Sequence, residues 1–141
     1  MAAIERTATG TWRGDLKSGN GQIDGSSGVL NETPFSFATR FENAKGTNPE
    51  ELIAAAHAAC FSMAFSNYLS GKGHVPEEII TNATISLENG SINKMHLVTK
   101  GRVAGLTEEQ FKTLAEEAEK ACPVSNLLRS GLSITLDASL A

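Results

Sequence analysis

Only 2 cysteines occur among the 141 residues, Cys60 and Cys122, and no C-x-x-C spacing joins them. That disfavours a thioredoxin-type dithiol, and it also removes the paired close spacings of zinc motifs. Basic residues are outnumbered: 12 Lys and Arg stand against 16 Asp and Glu, for a net charge of -4. No basic cluster exists to meet phosphates, so the sequence excludes a nucleic-acid surface. The opening residues, MAAIERTATG, lack the apolar core of a signal peptide, which makes the cytoplasm the expected location. The longest unbroken apolar character lasts about 14 residues, short of the ~20 that a membrane span needs, so no membrane is expected. Gly19 and Gly21 lack the strand-to-helix context of a phosphate loop and read as turn residues. No repeat, linker or low-complexity tract divides the chain. With 40% apolar and 20% charged residues, it reads as one soluble domain over residues 1–141.

The stretch from Thr47 to Leu69 dominates what remains. Asn48 suits a helix N-cap, Pro49 the first helical position, and Glu51 the place from which a capping-box carboxylate reaches back. Glu50 and Glu51 favour the positive end of the helix dipole. From Leu52 onward the run is apolar on nearly every face and rich in alanine, the pattern of a buried central helix. Cys60 lies within it.

Around this helix the chain alternates. Ile4 to Arg13 reads as a first strand and Gln22 to Asp24 as a short second one. Gly28 to Leu30 and Pro34 to Phe41 suggest a hairpin about Asn31–Thr33, with Phe35, Phe37 and Phe41 on one face and Arg40 on the other. Ile79 to Glu88 and Ser91 to Val103 flank Asn89–Gly90, a type I′ turn signal. Thr107 and Gln110 form a capping box ahead of a helix through Phe111, Leu114, Ala118 and Cys122. Pro123 stops that helix and permits a new turn with Cys122 at its N-cap. Leu132, Ile134, Leu136, Ala138 and Leu140 alternate as a last strand. The order βββ–α–ββ–α–β gives an α+β fold rather than a parallel doubly wound sheet.

A thiol acts as a nucleophile only when ionised. Burial among alanines opposes ionisation of Cys60, and its own helix N-terminus lies too far away to help. A reactive Cys60 therefore needs a cation from elsewhere; without one it is an inert buried residue. His57, three residues earlier on the same helix face, makes a Cys–His pair conceivable. A zinc site from Cys60, Cys122 and His57 is the weaker alternative.

The segment TRFENAKGTNPEELIAAAHAACFSMA (Thr39 to Ala64) and the segment ACPVSNLL (Ala121 to Leu128) resemble the OsmC/Ohr family of thiol-dependent hydroperoxide reductases. WRGDLKSGNG and SGVLN near the N-terminus extend the likeness over nearly the whole chain, and His57 within HAACFSMA resembles the OsmC branch. The resemblance implies an OsmC-like α+β fold: two antiparallel sheets wrapped around central long helices in an intertwined homodimer. It implies a peroxidatic Cys60, a resolving Cys122, and Arg40 and Glu50 as the pair that activates the thiol. Implied partners are an organic hydroperoxide substrate and a dithiol or lipoylated-protein reductant. No metal, flavin or haem is implied. Phe37, Phe61 and Met63 are expected as apolar walls for the substrate. The alternative function is a non-catalytic thiol redox sensor or a binder of small apolar ligands. The resemblance assigns no role to His57.

Helix geometry adds an expectation of its own. Glu50 and Cys60 are ten residues apart on one helix, about 15 Å along its axis at ~1.5 Å per residue. One Arg40 does not comfortably serve both within a single straight helix. Two such helices packed antiparallel would bring Glu50 of one beside Cys60 of the other, so a two-fold homodimer with shared sites is expected. Which subunit lends Arg40 is open.

Overall fold

The computed structural model describes residues 2–131 and 135–138. The chain forms two compact units, one through Ile53 and one from Ala54 on.

In the first unit β1 (Ala8–Arg13) pairs antiparallel with β2 (Asn20–Gly25), and β3 (Thr33–Phe35) pairs with the other edge of β2. Trp12 and Phe35 both stand opposite Gly21, and their ring centroids lie 5.4 Å apart. A Cβ on Gly21 would sit 2.6 Å from carbons of both rings. Gly21 is thus a strand residue whose missing side chain lets two aromatics close over the sheet, not the turn residue its sequence suggested. Gly19 does occupy the turn, with its N–H on the Asp15 carbonyl at 3.1 Å.

The expected hairpin about Asn31–Thr33 does not form. Residues 28–30 carry no strand, and the arm from Pro34 is extended only to Phe35. Ser36 then caps a short helix, α1 (Phe37–Phe41). The Ser36 hydroxyl accepts from the Thr39 N–H at 3.2 Å, and the Thr39 hydroxyl accepts from the Ser36 N–H at 2.9 Å. This reciprocal capping box outweighs the alternating phenylalanines. Phe37 and Phe41 also suit helical spacing, and their centroids meet at 5.0 Å.

The long helix α2 runs over Pro49–Gly71, 23 residues. Asn48 caps it, its Oδ1 accepting from the Glu51 N–H at 2.8 Å. The Glu51 carboxylate does not close a capping box; it accepts from the Thr47 hydroxyl at 2.5 Å. By length and composition alone α2 is apolar enough to cross a membrane. It exceeds the unbroken apolar stretch because Ser66, Asn67 and Ser70 continue its last turns. Ala55, Ala56, Ala59 and Met63 form an exposed, wholly apolar stripe along it.

In the second unit β4 (Glu78–Glu88) and β5 (Ser91–Arg102) make an antiparallel hairpin. Asn89 (φ 51°) and Gly90 (φ 76°) supply the two left-handed residues that a type I′ turn needs. Ile79, Thr81, Ala83 and Ile85 are the more buried side of β4, as their alternation required. α3 (Glu108–Glu119) starts from the Thr107–Gln110 capping box. α4 (Pro123–Ser130) follows, with Cys122 at its N-cap and Pro123 opening its first turn. The core is built from Phe61, Phe65 and Leu69, four residues apart on α2, with Ala118 and Cys122. Phe65, fully buried, meets the Phe111 ring at 5.1 Å, and burial of such a side chain contributes about 1.5–3 kcal/mol. Of the expected last strand, Leu132, Ile134 and Leu140 lie outside the described residues, while Leu136 and Ala138 carry no strand.

Candidate functional site

Arg40, in the last turn of α1, and Glu50, in the first turn of α2, form a bidentate pair. Nε of Arg40 donates to one carboxylate oxygen at 3.0 Å and Nη2 to the other at 2.9 Å. The arrangement follows from local structure: the Asn48 side-chain amide donates to the Thr39 carbonyl at 3.0 Å, tying the start of α2 to α1. Glu50 is buried, and the α2 N-terminus favours its charge. The carboxylate in turn holds the guanidinium above its ordinary pKa range. The Arg40 side chain stays 35% exposed, and only two of its five N–H donors are used on Glu50. Beside it, Trp12, Leu16, Phe35, Phe37 and Phe41 line a hollow of about 240 Å³.

The two cysteines meet in the second unit. The Cys122 Sγ lies 3.6 Å from the Cys60 Sγ, and both are free thiols. A disulfide needs about 2.0 Å, so a small approach would join them. Cys60, midway along α2, is half-buried, and Cys122 is fully buried. Burial pushes the Cys60 thiol above its ordinary range. The backbone N–H of Val124 opposes that shift, while neighbouring Cys122 adds to it. Val124 belongs to the first turn of α4. Cys60 therefore faces the N-terminus of a second helix, which partly supplies what its own helix does not.

His57 is not paired with Cys60. Its Nε2 lies 2.6 Å from the Ser125 hydroxyl, and both residues are buried. The other ring nitrogen, Nδ1, has no hydrogen-bond partner among the described residues. Burial lowers the His57 pKa; Glu119 opposes this and Arg129 adds to it. Among the described residues no three His, Cys, Asp or Glu side chains gather closely enough to hold a metal ion, so the zinc set of Cys60, Cys122 and His57 is not assembled. Among the expected substrate walls, Phe37 lines the hollow beside Arg40. Phe61 belongs instead to the core, and Met63 is 76% exposed.

Residues 42–137 match the family model described as OsmC-like protein. The chain belongs to the OsmC-like family. It is 45% identical over 141 residues to the peroxiredoxin OsmC of Escherichia coli, with 97% of each chain covered. It is 34% identical over 95 residues to an organic hydroperoxide resistance protein of Xanthomonas axonopodis pv. citri, covering 64% of this chain and 66% of that one. Among solved structures it resembles an organic hydroperoxide resistance protein from Elizabethkingia anophelis. The TM-score there is 0.68 at 27% identity, with 93% of each chain covered. The fold is thus the mixed α and β arrangement of this family, with two antiparallel sheets and one long helix.

Two groups near the thiols of this OsmC-like chain escaped sequence reasoning, the Val124 N–H and Ser125. Pro123 after Cys122 already marked the start of a helix. That start implied free N–H groups there, although nothing in the sequence aimed them at Cys60.

Proposed function

We propose that the chain is a thiol-dependent peroxidase that reduces organic hydroperoxides to alcohols, with residues 1–141 acting as one domain. The carrying observation is the pair of free thiols 3.6 Å apart, one half-buried and one sealed in the core. The names of the relatives, a peroxiredoxin and an organic hydroperoxide resistance protein, support the same reading.

In this mechanism the Cys60 thiolate attacks the distal peroxide oxygen. The O–O bond breaks, the alkoxide leaves and takes a proton as alcohol, and Cys60 becomes a sulfenic acid. The Cys122 thiol then displaces water from that sulfenic acid, giving a Cys60–Cys122 disulfide. A dithiol, such as a lipoylated protein, reduces the disulfide by exchange and is itself oxidised. Arg40, held by Glu50, is the cation that favours the thiolate and steadies the leaving alkoxide. The apolar hollow beside Arg40 suits an alkyl or aryl group better than a small polar peroxide.

The site is completed in a two-fold homodimer. The exposed stripe of Ala55, Ala56, Ala59 and Met63 supports this, since a second α2 packed there would cover it. Alanine lets two such helices approach closely. A bilayer is the competing cover, and a stable detergent-free solution of dimers would rule it out.

Steady-state reduction of cumene hydroperoxide with dihydrolipoamide tests the activity. Turnover is expected in the wild type and absent in Cys60→Ser. Full activity in Cys60→Ser, or wild-type turnover no better than free thiol, would overturn the reading in favour of a redox sensor or a binder of apolar ligands.

A further inference from the structure

We infer that His57 and Ser125 form a latch that sets Cys122 at bonding reach of Cys60, and so governs the disulfide-forming step. The inference rests on the peroxidase reading for its biological meaning, though not for its geometry.

The observations converge on α4. Cys122 is the N-cap of this helix, and its own side chain makes no capping hydrogen bond. The cap therefore supplies no hydrogen bond that orients the sulfur, which is otherwise held only by core packing and its contact with Cys60. Ser125 stands three residues later, in the first turn of α4, and is 4% exposed. His57 stands three residues before Cys60 on α2 and is 5% exposed. Their 2.6 Å hydrogen bond thus joins the two helices within one turn of each sulfur. Val124 lies between Cys122 and Ser125, and its backbone N–H favours ionisation of the Cys60 thiol. One turn of α4 is therefore held against α2 by a buried side-chain hydrogen bond, and the two sulfurs lie 3.6 Å apart in that seating.

The buried ring adds a reason for choosing a histidine. A buried N–H without a partner is rarer than a bare acceptor, so we assign the hydrogen to Nε2, which donates to Ser125, and leave Nδ1 bare. A leucine of similar size would fill the space without the bond. A glutamine would lose the ring but keep an N–H at comparable reach. The distances between α2 and α4 thus depend on a donor at position 57 and an acceptor at position 125. His57 is a positioning residue: it does not touch the reacting atoms.

Two measurements on the full-length protein test this. The first needs no peroxide: equilibration of the two thiols with reduced and oxidised glutathione gives the effective molarity of Cys60 toward Cys122. His57→Leu and Ser125→Ala should each lower it at least tenfold, and His57→Gln should recover most of the loss. The second follows one equivalent of tert-butyl hydroperoxide by intact mass with a sulfenic-acid trap. The ratio of disulfide formation to sulfenic-acid formation should fall at least tenfold in the same two variants. A purely structural role would lower thermal stability while leaving both ratios unchanged, and that result would overturn the latch. So would His57→Gln behaving as His57→Leu. If peroxide gives neither sulfenic acid nor disulfide in the wild type, yet the effective molarity falls in the variants, the latch stands and the peroxidase reading fails.

Discussion

Arg40 grips Glu50 with two parallel hydrogen bonds, at 3.0 and 2.9 Å, across the break between a five-residue helix and a twenty-three-residue one. The carboxylate is buried while the guanidinium side chain is 35% exposed. Its charge is therefore fixed in place without being enclosed. That asymmetry fits a cation kept in position for another anion.

Glu50→Gln should expose the value of that grip. The amide keeps the size of the side chain but removes the charge, leaving Arg40 free to swing into solvent. A loss of about 1–2 kcal/mol in stability is expected for a pair open on one side. Peroxidase kcat/KM should drop at least tenfold, and the pH midpoint for alkylation of Cys60 should move upward, because the thiolate loses its fixed cation. Alkylation rates across pH measure the second effect directly. An unchanged midpoint would detach Arg40 and Glu50 from the chemistry.

Cys122→Ala separates resolution from attack. Without the second sulfur, the Cys60 sulfenic acid should persist after one equivalent of peroxide. Further peroxide should convert it to the sulfinic acid, about 32 Da above the thiol. The wild type should instead lose two hydrogens and stop, with Cys60 and Cys122 joined in the same peptide after digestion. A Cys122→Ala variant that cycles like wild type and resists overoxidation would remove Cys122 from the mechanism.

These sites were partly legible in the sequence. The cap residues Asn48 and Thr107, the Asn89–Gly90 turn and the Cys122–Pro123 boundary are local signals, and each produced the element it indicated. The failures came where two local signals competed or where a partner was distant. Phe35, Phe37 and Phe41 satisfy period 2, but Phe37 and Phe41 also satisfy a helical repeat, and the Ser36–Thr39 cap decided between them. Gly21 read as a turn because its reason is two rings brought in from neighbouring strands. His57 pointed toward Cys60 by spacing along α2, yet its partner lies 68 positions away on α4. No local pattern contains that choice.

The buried His57 also predicts a stability profile. Its pKa is lowered in the folded state, burial being the main cause. As pH falls below the unfolded value of about 6.5, the unfolded chain takes up a proton that the folded ring refuses. The associated stability is thus complete above that value and is lost as pH falls toward the folded pKa. The slope from this one residue is at most about 1.4 kcal/mol per pH unit. Urea unfolding between pH 5 and 7.5, run on wild type and His57→Gln, isolates the contribution. Parallel pH profiles would mean that the ring titrates freely when folded.

The proposed sharing of sites between subunits yields the most demanding prediction. Glu50 and Cys60 are ten positions apart on one continuous helix, so about 15 Å of axial rise separates them. In an antiparallel pair of α2 helices, Arg40 and Glu50 of one subunit would serve Cys60 of the other. Mixing Cys60→Ser and Glu50→Ala subunits then gives a decisive heterodimer. One of its sites combines both substitutions, while the other has both groups intact. The isolated heterodimer should show about half of wild-type activity, although each parent homodimer is inactive or nearly so. Self-contained sites predict the opposite: each site carries one lesion, and the mixture stays as inactive as its parents. A chain that sediments as a monomer at micromolar concentration would end the shared-site model before the mixing is done.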